Sequence, residues 1–194
     1  MKSVIQIKKK GKDIFELPDG SIAYTMKKAF EEYKKLKLVK YTVSDLILFL
    51  LYSQDKPIRG KTVFFKEMFY FEKEIFKGEN LENCKFIPYY YGPFSFYVAN
   101  KLNYLIQRNF VKKTKQAGTG KDVFELTSEG KKMIERKYIN LPIKVKNRME
   151  NYRMRLDQLG MKILNLIYKD EKYKKYIVKS RISYRYKLIS WGKI

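Results

Sequence analysis

Residues Tyr89–Lys132 read YYYGPFSFYVANKLNYLIQRNFVKKTKQAGTGKDVFELTSEGKK. Gly92-Pro93 predicts a turn, and Ser95 is a good cap for the helix that follows it. Over 95–108, Val98, Leu102, Leu105 and Ile106 recur at helical spacing and should face inward. Phe110–Lys115 and Asp122–Leu126 then predict two strands. Between them lies the tip Gln116–Lys121, where Gly118 and Gly120 supply the backbone freedom of a tight reversal. Thr127 should cap the next helix, with Gly130 in its first turn, and Asn140-Leu141-Pro142 should end it after Tyr138.

Working outward, SDLILFLLYSQ from Ser44 predicts a helix capped by that serine. Leu46, Ile47, Phe49, Leu50 and Leu51 make it apolar nearly all round, so it should be central. Asp55-Lys56-Pro57 ends it, and Ile58-Arg59 predicts a short strand. GKTVFFKEMFYFEKEIF predicts a second helix with Val63, Phe64, Met68, Phe71 and Ile75 as core contacts. Its aromatic density fits core or a dimer interface better than a hydrophobic ligand pocket. At the N-terminus, SVIQI and DIFEL predict a hairpin around Lys8–Lys12. From Ser21, Ile22, Met26, Ala29, Phe30 and Tyr33 share a helical face. Lys34–Lys40 is a basic connector. Downstream, helices are expected at about 143–158 and 160–168, the latter with Met161, Leu164, Ile167 and Tyr168 on one face. These elements give a mainly α fold with a small β-wing. Three segments are expected: an N-terminal hairpin and helix over 1–40, a core over 41–138, and a basic helical extension over 139–194.

Charge narrows the class of partner. The 194 residues carry 43 Lys and Arg against 20 Asp and Glu, a formal net charge of +23. Residues 1–40 hold 11 basic and 5 acidic side chains, residues 41–130 hold 13 and 10, and residues 131–194 hold 19 and 5. The core is thus nearly balanced and the C-terminal third holds most of the field, which favours a polyanion. There is no histidine, which removes the usual general base and most zinc sites. Cys84 is the only cysteine, so no intrachain disulfide can form, as suits a reducing cytoplasm. Glu67, Glu72 and Lys66 come nearest to a magnesium-dependent nuclease set, but their spacing suits an ordinary helix surface. GTGK at 118–121 lacks the leading Gly and following Ser or Thr of a phosphate-binding loop. No enzyme activity, cofactor or metal is expected. No uncharged run reaches membrane-spanning length.

Within 95–108, Phe96, Asn100, Asn103 and Gln107 recur on a second face, flanked by Lys101, Tyr104 and Arg108. Asn and Gln pair bidentately with adenine and Arg with guanine in the DNA major groove, and lysines serve phosphates. Lys112, Lys113, Lys115 and Lys121 surround the ribbon tip and suit phosphate or minor-groove contact. Further contacts are expected from Arg153, Arg155, Lys179, Arg181 and Arg185. In the C-terminal segment, lysines and arginines alternate with Tyr173, Tyr176, Tyr184, Tyr186 and Trp191, which either stack on bases or pack inward.

SDLILFLLYSQDKPIRGKTVFFKEMFY, YYYGPFSFYVANKLNYLIQRNFV and FELTSEGKKMI together resemble prokaryotic winged helix-turn-helix proteins. The likeness is to the uncharacterised YwgA-like group, to Panacea-type antitoxin domains, and more distantly to MarR and PadR regulators, whose wing also leads into an LTxxG helix. It covers about residues 44–138. The resemblance implies that Ser95–Arg108 is a recognition helix and Lys112–Lys121 a wing. The expectation is a cytoplasmic DNA-binding protein, of the transcriptional-regulator or chromatin-associated kind, that contacts double-stranded DNA and can dimerise. Alternatives are an antitoxin-like or phage-defence protein-interaction module, and an RNA-binding protein.

Overall fold

The computed structural model describes residues 5–9, 12–17, 22–29 and 40–179. The chain divides into two compact units, residues 1–42 with 79–82, and residues 43–78 with 83–194.

In the first unit, β1 (Ile5–Lys9) and β2 (Lys12–Glu16) form the expected antiparallel hairpin, with Ile5 opposite Glu16 and Lys9 opposite Lys12. A two-residue strand, β3 (Ile22–Ala23), adds to β2. Phe15, Leu17, Ala23 and Ala29 make its small core. The helix expected from Ser21 therefore starts later than its apolar spacing implied. Ile22 is spent on the sheet edge, and Met26 is exposed. Phe30, Tyr33 and most of the basic connector lie outside the described residues. Tyr41 joins the 79–82 segment through backbone bonds: Tyr41 N donates to Asn80 O, and Glu82 N to Tyr41 O.

The second unit is built on α1 (Val43–Tyr52). Leu46 to Leu51 are all buried, as expected of a helix with no polar stripe, and each such side chain contributes about 1.5–3 kcal/mol over exposure. The helix begins one residue before Ser44, so that serine lies in the first turn and is not the cap. Beside it Asp45 is buried and receives both bonds from Lys137 Nζ, at 2.7 and 2.8 Å. An acid in the first turn also suits the positive end of the helix dipole.

β4 (Ile58–Arg59) leads into α2 (Lys61–Tyr70), which continues as one π-helical turn over Phe71–Ile75. Val63, Phe64, Met68, Phe71 and Ile75 are buried as expected. Lys66, Glu67 and Glu72 are buried too, which overturns their reading as an ordinary helix surface. The reason is coverage of α2 from several sides. α5 (Ile143–Leu159) brings Arg153 against Glu67, and the loop after the π turn brings the Cys84 amide to Glu72 Oε1 at 2.8 Å.

β5 (Ile87–Tyr89) and β6 (Gly92–Phe94) form a hairpin, with Tyr89 opposite Gly92. The chain reverses at Tyr90-Tyr91, and Gly92-Pro93 already belongs to the return strand. Gly92 has φ +82°, a conformation that disfavours any side chain there. α3 (Phe96–Gln107) follows, then the ribbon of β7 (Val111–Lys115) and β8 (Asp122–Leu126), each within one residue of the boundaries the sequence implied. β8 lies between β7 and β4, so the short strand before α2 completes a three-stranded antiparallel sheet. Phe124 from that sheet meets Phe64 of α2 at 5.1 Å between ring centroids.

α4 (Ser128–Ile139) is capped by Thr127, whose Oγ1 accepts from Gly130 N at 3.0 Å. Gly130 has no room for a side chain, because a Cβ would stand 2.0 Å from the Phe110 carbonyl oxygen. α5 and α6 (Ile163–Lys169) are joined by a 3-10 turn over Gly160–Lys162. α6 buries Ile163, Leu164 and Ile167. The result is mainly helical with a small antiparallel sheet. Among the described residues no helix is long and apolar enough to cross a membrane.

Candidate nucleic-acid interface

α3 separates its two faces sharply. Val98, Leu102 and Leu105 are buried, while Asn100, Asn103, Tyr104, Gln107 and Arg108 are exposed. The two asparagines and the glutamine fall at spacings of three and four, so they form one row along the helix. Arg108 lies 6.0 Å from the Tyr104 ring, at the helix's C-terminal end. The local reason for this orientation is Ser95. Its hydroxyl donates to the Cys84 carbonyl and accepts from Val98 N at 3.0 Å, which fixes the first turn against the preceding loop.

Two residues expected at this surface are elsewhere. Ser95 is fully buried and occupied by the cap just described, so it presents nothing to a ligand. Lys101 is 5% exposed, with its ammonium 5.2 Å from the Tyr97 ring, and a phosphate does not reach it. Arg153 is a third correction. It is 0% exposed, bonded through Nη1 to Glu67 Oε2 at 2.9 Å, through Nε to Leu50 O and through Nη2 to Lys56 O. This basic residue on a polar-looking helix is a buried cross-link and not the surface contact its sequence context implies.

The ribbon lysines are exposed, but most have acidic partners. Lys112 Nζ is 3.3 Å from Glu125, and Lys113 and Lys115 lie 3.4 and 2.6 Å from Asp122. The hydrogen bond from Lys115 is the main cause holding the Asp122 carboxyl below the usual carboxylate range, against the opposing effect of burial. Lys121 stands at the tip with no acidic partner among the described residues. The tip is closed by Gln116 N donating to Lys121 O at 2.8 Å. Between it and the start of α2 lies a cleft of about 280 Å³, lined by Arg59, Lys61, Thr62, Lys115, Lys121 and Asp122. Arg59 and Lys61 are cations that spacing alone did not single out, because the sheet pairing of β4 with β8 is what carries them beside the ribbon.

The C-terminal segment divides. Tyr173 and Tyr176 pack on Phe69, each at 4.9 Å, so for these two the inward-packing alternative holds. Tyr173 also donates to Glu74, and burial is the first cause that raises its phenol's pKa. Lys172 is bound between Glu74 and Asp170, at 3.0 and 3.1 Å. Arg155 is exposed at a cleft that also includes Tyr70, Glu74 and Asp170, apart from the α3 row in sequence and element. Lys179 is exposed, whereas Arg181, Arg185, Tyr184, Tyr186 and Trp191 lie outside the described residues. Among the described residues no group of three or more His, Cys, Asp or Glu side chains stands together as a metal site. No family model matches this chain, and no curated protein or solved structure matches it either.

Proposed function

We propose that this chain binds double-stranded DNA as a winged helix-turn-helix protein, with α3 as the recognition helix and the β7–β8 ribbon as the wing. The observation that carries the reading is the exposed row Asn100, Asn103 and Gln107 on a helix followed at once by a basic ribbon. Carboxamides match adenine edges in the major groove, where a helix fits. The order helix, strand, helix, hairpin, helix, ribbon, with the short strand β4 paired to the ribbon's return strand, supports it further; the β5–β6 hairpin stands where a simple helix-turn-helix has only a turn.

In this reading, phosphates are met by Arg108 at the end of α3, by Lys121 at the wing tip, and by Arg59 and Lys61 across the cleft. These contacts position the protein, and the carboxamides select the sequence. The wing's internal ion pairs reduce its net contribution, since Glu125 pairs with Lys112 and Asp122 is shared by Lys113 and Lys115, two acids against three lysines. A regulatory role and dimerisation follow only if two half-sites are read together.

The test is a selection from random duplexes followed by a binding comparison on the selected site. Asn100→Ala/Asn103→Ala/Gln107→Ala is expected to bind the selected and scrambled duplexes alike, keeping the weaker affinity. If the triple variant discriminates as well as the parent, α3 does not read the sequence.

A further inference from the structure

The turn of the β5–β6 hairpin and the first residue of α3 leave three aromatic rings exposed. Tyr90, Tyr91 and Phe96 are 45%, 53% and 56% exposed, beside the half-buried Tyr89 and Phe94. Four of the rings are joined: Tyr89 lies 4.6 Å from Tyr90, 5.1 Å from Phe94 and 5.7 Å from Phe96, and Tyr91 is the next residue of the turn. It is also anchored. Phe94 meets the buried Phe65 at 4.4 Å, and Lys66 Nζ donates to Pro93 O at 2.7 Å. Such an aromatic surface on a fixed base loses little conformational freedom when something settles on it.

Its position and charge indicate what settles there. Phe96 begins the row that continues through Asn100, Asn103 and Gln107, so the rings extend the exposed α3 face at its N-terminal end. No charged side chain occurs from Phe86 to Asn100, and no acid occurs from Phe86 to Lys121. The exposed Lys85 lies next to it, its Nζ 4.5 Å from the ring of Tyr97, the residue after Phe96. Inside a continuous duplex the faces of the bases are covered by their neighbours. An unpaired base offers an open face, and aromatic side chains next to cations are the usual surface for it.

We propose that the Tyr90–Tyr91–Phe96 surface is a stacking platform for unpaired bases beside a duplex, so that the chain favours junctions between double and single strands. This rests on the nucleic-acid reading above. The platform takes the shared chemistry of an open base face; whether that base belongs to DNA or RNA is decided by the sugar of the overhang.

The test measures binding to a blunt DNA duplex, the same duplex with a short DNA overhang, and the same duplex with an RNA overhang. A 2-aminopurine stands at the first unpaired position. One stacked base should tighten binding about ten-fold and quench the 2-aminopurine. Tyr90→Ala/Tyr91→Ala should remove that preference and the quenching while leaving blunt-duplex affinity unchanged. Equal binding of blunt and overhung duplexes, with unquenched fluorescence, overturns the platform and leaves duplex binding intact. Binding to none of the three overturns both. Self-association of the parent that the double variant abolishes, with no overhang preference, assigns the patch to a second copy of this chain and also overturns the proposal.

Discussion

Arg153 Nη1 lies 2.9 Å from Glu67 Oε2, and both side chains are removed from solvent. The guanidinium also bonds the carbonyls of Leu50 and Lys56, so one residue of α5 joins α2 to the end of α1 and the loop after it. A buried pair of this kind is costly to break, because the survivor stays charged without its partner.

Arg153→Ala should therefore destabilise the fold by about 3–5 kcal/mol, read from urea unfolding. Arg153→Met/Glu67→Met should recover most of that loss. If Arg153→Ala unfolds at the parent's midpoint, the pair does not hold the helices together.

Gly130 faces the Phe110 carbonyl with no space for a methyl group. Gly130→Ala must push the first turn of α4 from the junction between α3 and the ribbon, at a cost of about 3 kcal/mol. Ser128→Ala, one turn position away and exposed, should change the melting temperature little. Equal melting of both variants would mean that the close approach does not exist.

These two positions also show what was legible in the sequence. Helix and strand boundaries from Ser95 to Tyr138 followed from short-range signals: two side-chain caps, two glycines at a tip and clean apolar spacing. The exposed carboxamide row of α3 followed from the same spacing. Lys66, Glu67 and Arg153 did not, because amphipathic spacing assumes that charge marks solvent. Here several elements cover α2, and the charges pair with each other or with a carbonyl. Ser95 and Lys101 were misplaced for a related reason: the Ser95 hydroxyl is taken up by the Cys84 carbonyl and the Val98 amide, and the Lys101 ammonium lies against the Tyr97 ring one turn earlier. Arg59 and Lys61 became visible only through the pairing of β4 with β8, a long-range contact that no local pattern encodes.

Lys66 makes stability depend on pH. Burial pushes its ammonium down to about 7, from 10.5 when unfolded. Below pH 7 both states carry the proton, and the folded state bears the full cost of a buried charge. Between pH 7 and 10.5 the unfolded state binds more protons than the folded one, so this residue's contribution to stability rises with pH across that window. Lys66→Met should be more stable than the parent at pH 6, and the difference should shrink towards pH 10. A difference independent of pH would show that Lys66 does not titrate between the two states.

The wing lysines should differ in effect. Lys121→Ala should weaken binding to every duplex and lower the salt dependence by about one unit of slope. Lys112→Ala should do less, because Glu125 already offsets that charge. Equal losses would mean that the wing's ion pairs open in the complex.

The most direct measurement is the affinity for duplex DNA across a range of salt concentrations. If α3 and the wing hold the duplex against a chain of net charge +23, log affinity should fall linearly with log salt, with a slope of about −0.9 for each phosphate neutralised. A flat response, or no binding at low salt, would contradict the account.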